Sequence, residues 1–280
     1  MGRSLSITLL AALLVIGGYE AFLRIAKPRA DVGQDQYATN RIRLENYVDD
    51  DAAAPGVVVG SSLTARIPAG AWPRGWQVLS QAGSNALVGL EAIERKAVLP
   101  QKILIEINTL DSAYNKDDVE AVLGISRAGR HILWFTRTAN RPANLLVWYM
   151  RPRDGSSSER AGAGFSTQLA QWRQNYRGAP ASHLFENLQR AKLIVERLRA
   201  ANVEVVFFEM PVDASLVGLR RARHIRQATA AIFPPSSYCW HIAQDARSWR
   251  TIDGIHLLPQ DARLAAASVS GRCAAADRMP

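Results

Sequence analysis

Residues 56–63 read GVVVGSSL, and the first five of them decide the fold. Three consecutive valines between glycines show no alternation of apolar with polar residues, so both faces of the segment avoid water. That is the pattern of a fully buried strand in a parallel sheet. Two later stretches repeat it, WQVLSQAG at 76–83 and KILIEINTL at 102–110, with the helical pattern NALVGLEAIERKAVLP at 85–100 between them. Strand, helix and strand in succession predict an α/β fold built on a parallel sheet flanked by helices.

The alternation resumes further on. In HLFENLQRAKLIVERLRAAN, residues 183–202, Leu184, Leu188, Ala191, Val195 and Leu198 recur at steps of four and three, the spacing of one helix face. VEVVFFEMPV at 203–212 then reads as a fourth buried strand. Between about 112 and 182 the pattern breaks into an insertion. There the aromatic residues Trp134, Phe135, Trp148 and Tyr149 lie among arginines, ahead of a Gly/Ser-rich stretch. Such an insertion is a lid, a membrane-facing surface or a partner site, or else a helical segment that packs those aromatics into a core. Residues 24–55 carry no periodicity strong enough to assign and read as a linker.

Upstream of the linker, SLSITLLAALLVIGGY at 4–19 is an uncharged apolar run, and extending it through Phe22 and Leu23 admits Glu20. A membrane-crossing helix needs about 20 mostly apolar residues. Residues 1–23 are therefore a membrane anchor or a signal segment; no small-x-small pair precedes a cut site, which favours the anchor. Arg24, Lys27 and Arg29 follow the span while Arg3 and the terminal amine precede it, so the charge bias alone leans against export.

The chain of 280 residues carries a formal charge of +9. That charge suits nucleic acid, anionic lipid or an acidic polymer. Many of its arginines occur singly among alanines and apolar residues, and no zinc-finger or RNA-binding signature accompanies them, so no nucleic-acid partner is expected. Cys239 and Cys273 are the only cysteines. An oxidising compartment would permit a bridge between them; without nearby histidines at ligand spacing they make no metal site. No metal or cofactor is expected.

Chemistry is concentrated at the predicted strand ends. After the first strand come Gly60, Ser61, Ser62 and Thr64, at the carboxyl edge where open α/β sheets hold ligands; their hydroxyls could equally cap the next helix. Gly83 comes after the second strand and Asn108 after the third. A backbone N–H and a side-chain amide there could serve as oxyanion donors, or Gly83 could simply permit a turn and Asn108 cap one. Near the C-terminus, TIDGIHLLPQDA at 251–262 sets Asp253 three residues before His256. A carboxylate so placed can accept the imidazole Nδ1–H and leave Nε2 as a base.

These four blocks together resemble the SGNH, or GDSL-type, hydrolase superfamily. Its Gly-Asp-Ser-Leu, its glycine after the second strand, its Gly-x-Asn-Asp and its Asp-x-x-His correspond here to GSSL, QAGSN, EINT and DGIH. The resemblance implies a three-layer, flavodoxin-like catalytic domain over 56–280. It makes Ser62 the nucleophile, His256 the base and Asp253 its orienting carboxylate, with Ser62, Gly83 and Asn108 as the oxyanion donors. Ser61 replaces the family's aspartate and is the alternative nucleophile; Glu106 and Thr109 stand where the family has its glycine and second aspartate. With an anchor attached, the chain is similar to envelope proteins that acylate or deacylate extracytoplasmic glycans. That implies an extracytoplasmic (periplasmic) domain with an acyl-ester substrate, a polysaccharide acceptor or lipid, and a membrane-protein partner. The competing expectation is a catalytically silent SGNH-like accessory domain that binds a glycan or membrane partner.

Overall fold

The computed structural model describes residues 2–28, 30–114, 116–123, 126–150, 164–242 and 249–271. Its chain forms two compact units: Met1–Asp50 with Glu120–Gly155, and Asp51–Val119 with Ser156–Pro280.

The second unit is the α/β domain. Its sheet has strands β1 (Gly56–Val59), β2 (Gln77–Val78), β3 (Lys102–Glu106), β4 (Glu204–Glu209) and β5 (Cys239–Ile242), in the order β2-β1-β3-β4-β5 with every pair parallel. The three valines of β1 are fully buried, as an unbroken β-branched run between glycines requires. Alternate strand residues supply two cores. Val58, Leu104, Val206 and Phe208 face one layer, joined by Leu169 of α8 (Phe165–Arg177) and by Ala262, Ala265, Ala266 and Val269 of α12 (Pro259–Ser270).

On the other face α4 (Ala86–Glu94) lies so close that a Cβ on Gly89 would come within 2.5 Å of Val59 Cγ1. Against α4 packs α9 (Leu184–Ala200), tied to it by Arg190 Nε to Glu91 Oε1 at 2.9 Å and by an Arg197–Glu94 pair. Phe207 stacks with Trp240 and packs at a tilt against Phe233 near the β5 edge. The short helices α3 (Ser62–Ala65) and α10 (Ala214–Val217), with α11 (Arg220–Ile232), complete the domain. This is the α/β sheet flanked by helices that the strand-helix alternation predicts. The fifth strand, CWHI, escapes that reading because it is four residues long, sits at the sheet edge and is only partly buried, so it lacks a long apolar run.

The first unit contains α1 (Gly2–Ala26), α2 (Gln36–Asp49), α6 (Ser126–Ile132) and α7 (Pro142–Met150), and α5 (Lys116–Leu123) spans the boundary between the two units. Ser4–Ala26 is long and apolar enough to cross a membrane; its residues 4–18 are exposed, while Leu23 near its end is buried. The linker expected at 24–55 is corrected here: residues 36–49 form a helix, capped by Asp35 accepting the Ala38 N–H at 2.7 Å. Its buried residues are Ala38, Ile42, Leu44, Glu45, Tyr47 and Val48, and a glutamate at a core position hides the period. Glu45 is buried because it accepts the Thr138 N–H at 2.7 Å and hydroxyl at 2.9 Å, with Arg41 at 2.9 Å. A second buried pair, Arg130 with Asp49 at 3.2 Å, adds to this unit.

The expected single insertion at 112–182 also divides. Residues 120–150 belong to the first unit, whereas α8 belongs to the second. Leu145 and Trp148 pack on Ala30, Ile42 and Ala139, as a core-filling insertion would, while Tyr149 is left exposed. The Gly/Ser-rich stretch falls almost wholly outside the described residues. Cys239 is disulfide-bonded; Cys273, the one other cysteine in the chain, lies outside the described residues.

Candidate active site

In a sheet of order 2-1-3-4-5 the chain reverses direction between β1 and β3, and ligands bind outside the carboxyl ends of the strands at that point. β1 ends at Val59 and β3 at Glu106, with Val59 in register with Ile105. From β1 the chain passes through a tight turn into α3. Ser61 is the N-cap of that helix, its Oγ accepting the Leu63 N–H at 3.1 Å, and Ser62 is the first helical residue, with its side chain partly open. Of the three capping candidates, Ser61, Ser62 and Thr64, Ser61 takes that task.

The turn is held from β3. Glu106 is completely buried and accepts three donors: the Ser61 N–H at 3.0 Å, the Ser61 hydroxyl at 2.6 Å and the Thr64 hydroxyl at 2.8 Å. Thr64 Oγ1 also lies 2.6 Å from Ser80 Oγ, in the segment that continues β2. Burial pushes the Glu106 carboxyl above its ordinary value despite the opposing pull of these hydrogen bonds from Ser61 and Thr64. The close approach explains Gly60. Its φ is not positive, so a sharp turn is not what demands glycine. A Cβ there would stand 2.4 Å from Glu106 Oε2 and 2.5 Å from Thr64 Oγ1. Gly60→Ala is expected to cost about 1–3 kcal/mol by overpacking, measured by chemical unfolding against the parent chain.

Asp253 and His256 arrive on a loop closed by its own backbone. Ile252 N–H donates to His256 O at 2.7 Å, Leu258 N–H to Arg250 O at 2.9 Å, and Thr251 bridges Leu257. Asp253 Oδ1 accepts the N–H groups of Ile255 at 3.1 Å and His256 at 2.9 Å, a local turn that aspartate favours. Gly254 has φ +100°, and a Cβ there would come within 2.9 Å of Leu169 Cδ1. Here glycine serves both backbone and packing.

The second carboxylate oxygen, Asp253 Oδ2, meets His256 Nδ1 at 2.7 Å, and His256 Nε2 meets Ser62 Oγ at 3.0 Å. His256 is 7 % exposed. Residues 194 positions apart are thus joined in a continuous Asp–His–Ser line. Ser61, the alternative nucleophile, is turned to Glu106 instead, its hydroxyl donating at 2.6 Å. Burial works to raise the Asp253 carboxyl, but the His256 ring and the two loop N–H groups outweigh it and hold it down at about 2.

A carboxylate depressed on folding stabilises the fold above its unfolded value, near 3.8, and loses that contribution as pH falls through its folded value, near 2. Asp253→Asn is therefore expected to flatten the loss of stability between pH 4 and pH 2, read from unfolding midpoints across that window.

The three expected oxyanion donors lie at the same edge. Among the described residues neither the Ser62 nor the Gly83 N–H makes a hydrogen bond. Gly83 has φ +79° in a turn closed by Ser84 N–H to Gln81 O, and Gln81 N–H donates to Gly60 O, which draws this turn beside β1. The Asn108 side chain exchanges two hydrogen bonds with the Met210 backbone, at 2.9 and 2.7 Å. An amide nitrogen carries two hydrogens, so Asn108 is locked by one and keeps the other. Thr109 Oγ1 is buried without a partner. Among the described residues no group of three or more His, Cys, Asp or Glu could hold a metal ion.

Glu106 is the residue whose part the sequence obscures, since against the family pattern it reads only as a departure. The available signal is a lone carboxylate inside the apolar run KILIEI, which must find donors to be buried. No family model, curated protein or solved structure matches this chain.

Proposed function

We propose that the α/β unit is a serine acyl-ester enzyme, an esterase or O-acyltransferase related to the SGNH hydrolases, that acts on an extracytoplasmic glycan or lipid. The observation that carries this reading is the line Asp253 Oδ2, His256 and Ser62 Oγ, with separations of 2.7 and 3.0 Å. In the proposed cycle Ser62 Oγ attacks the ester carbonyl while His256 Nε2 takes its proton. Asp253 fixes the tautomer and faces the imidazolium that forms. The Ser62 and Gly83 N–H groups, with the remaining Asn108 Nδ2 hydrogen, receive the charge on the carbonyl oxygen. Collapse returns the proton from His256 to the departing alcohol and leaves an acyl group on Ser62. Water or a sugar hydroxyl, deprotonated by the same histidine, then takes that acyl group away.

The disulfide at Cys239 supports an oxidising compartment, which agrees with an anchor that exports the domain. The test is reaction of the full chain with a serine-directed fluorophosphonate. Stoichiometric labelling is expected, and it is lost in Ser62→Ala. Absence of labelling in folded protein would overturn the enzyme reading in favour of the silent accessory domain.

A further inference from the structure

The first unit carries an outward apolar face that its own fold does not cover. α7 reads PANLLVWYM, without a charged residue. Its inner side, Asn144, Leu145 and Trp148, is buried or partly buried in the unit. On its outer side Ala143, Leu146, Val147 and Met150 occupy the i, i+3, i+4, i+7 spacing of one helix face. Leu146 is 59 %, Val147 38 %, Met150 71 % and the neighbouring Tyr149 75 % exposed. A surface helix places polar residues on that face; this one does not. Ile132 and Leu133, where α6 ends, are exposed as well.

How the unit grips α1 identifies what covers this face. α1 is bare on every side from Ser4 to Gly18 and makes its buried contacts only from Tyr19 onward. The Tyr19 hydroxyl donates to Asn140 O at 2.5 Å. Glu20 accepts the N–H groups of Trp134 and Phe135, both at 3.0 Å, and pairs with Arg24 at 2.8 Å. The Arg24 guanidinium in turn donates to Ile132 O. At 1.5 Å per residue the roughly fifteen bare residues span about 22 Å, short of a hydrocarbon layer of about 30 Å. To cross it, the helix must also use the turn containing Tyr19, Glu20 and Leu23. Whatever is bonded to those residues then sits at membrane depth.

The composition around this attachment fits an interface. Tyr19, Phe22, Trp134 and Tyr149 are aromatics of the kind that collects at the boundary between lipid and water. Arg137 and Arg24 lie over the Trp134 ring at 4.8 and 5.9 Å, and Lys27 and Arg141, next in the chain to these elements, are exposed cations. Glu20, the one acid of the span, has its carboxylate filled by two N–H groups and a guanidinium, which is what a charge at that depth requires.

We infer that the exposed face of α7, with the 132–135 turn, is seated in the headgroup and upper acyl region of a bilayer containing anionic lipid, so that the chain holds the membrane by a span and a second, interfacial helix. The inference does not depend on the catalytic reading.

The full chain, reconstituted in vesicles of phosphatidylcholine and phosphatidylglycerol, tests it. Single cysteines are introduced as Leu146→Cys and Met150→Cys and labelled with an environment-sensitive fluorophore. Val15→Cys in the span and Gln174→Cys on α8 serve as lipid and water references, and Cys239 is held in its disulfide. Labels at 146 and 150 are expected to emit to the blue of the 174 label, to lose intensity with spin-labelled lipid and to resist aqueous iodide. Iodide quenching at 146 and 150, while Val15 answers to lipid, would overturn the inference. So would protection from both quenchers together with cross-linking between copies, which would make the face a protein contact. A Val15 label unaffected by lipid would overturn the span and the inference with it.

Discussion

Ser62→Ala is expected to lower turnover of p-nitrophenyl acetate by the detergent-solubilised full chain by about 10³-fold or more, the scale on which serine triads fail when one member is removed. Deleting a partly open hydroxyl at the first position of a helix leaves the cap, the Ser61–Glu106 contacts and the sheet untouched. Unfolding should therefore stay within about 0.5 kcal/mol of the parent. His256→Ala should lose a comparable factor. If Ser62 and His256, separated by 3.0 Å, act as one unit as proposed, the double variant should be no slower than either single one. Multiplying losses would mean that the two residues work independently and would remove the triad.

The second large effect is on stability. Glu106→Ala leaves the Ser61 N–H, the Ser61 hydroxyl and the Thr64 hydroxyl without their acceptor in a site closed to water. Each stranded donor costs about 1–3 kcal/mol, and partial relaxation through Ser80 reduces the sum, so a loss of about 3–5 kcal/mol in urea unfolding is expected. Glu106→Gln keeps one acceptor but turns an NH₂ toward donors, and should fall between.

The sign of the pH dependence separates the carboxylate from its shape. The folded value of Glu106 is raised, so its titration contributes stability below the unfolded value near 4.5 and loses it as pH rises through the folded one. The deficit of Glu106→Gln should therefore shrink as pH increases, opposite to the trend expected for Asp253→Asn. A Glu106→Ala chain as stable as the parent would show that the turn before Ser62 does not need the clamp.

The sheet and the Asp253–His256 pair were legible because each rests on local chemistry. Unbroken β-branched runs can only be buried, and an aspartate three residues before a histidine can orient it within its own loop. The partnership of His256 with Ser62 came from the joint order of four short blocks, since no single block carries information across 194 residues. What stayed hidden were features whose sense depends on a distant partner. Glu45 breaks the period of α2 until Thr138 arrives to satisfy it. Glu106 looks like a flaw in a strand until Ser61 and Thr64 surround it. Gly60 suggests a turn when the fold requires room. Asn108 offers an amide, and only the crossover to β4 shows that Met210 occupies half of it.

The first unit is assembled from residues 1–50 and 120–155, and that discontinuity sets a clock during synthesis. The Thr138 donors of Glu45 are 93 residues downstream, and the Arg130 guanidinium paired with Asp49 is 81 residues away. At the elongation rate of about 5–20 residues per second, the N-terminal half waits roughly 5–20 seconds for the rest of its core. During that interval the first three strands of the sheet emerge, and the growing chain holds two unfinished domains at once. α2 carries its two acids into water until the 130s and 140s leave the ribosome. The order of birth is therefore the apolar helix, then three strands of the sheet, then closure of the first unit, and last the loop bearing Asp253 and His256, so Ser62 exists for most of translation without the imidazole that faces it.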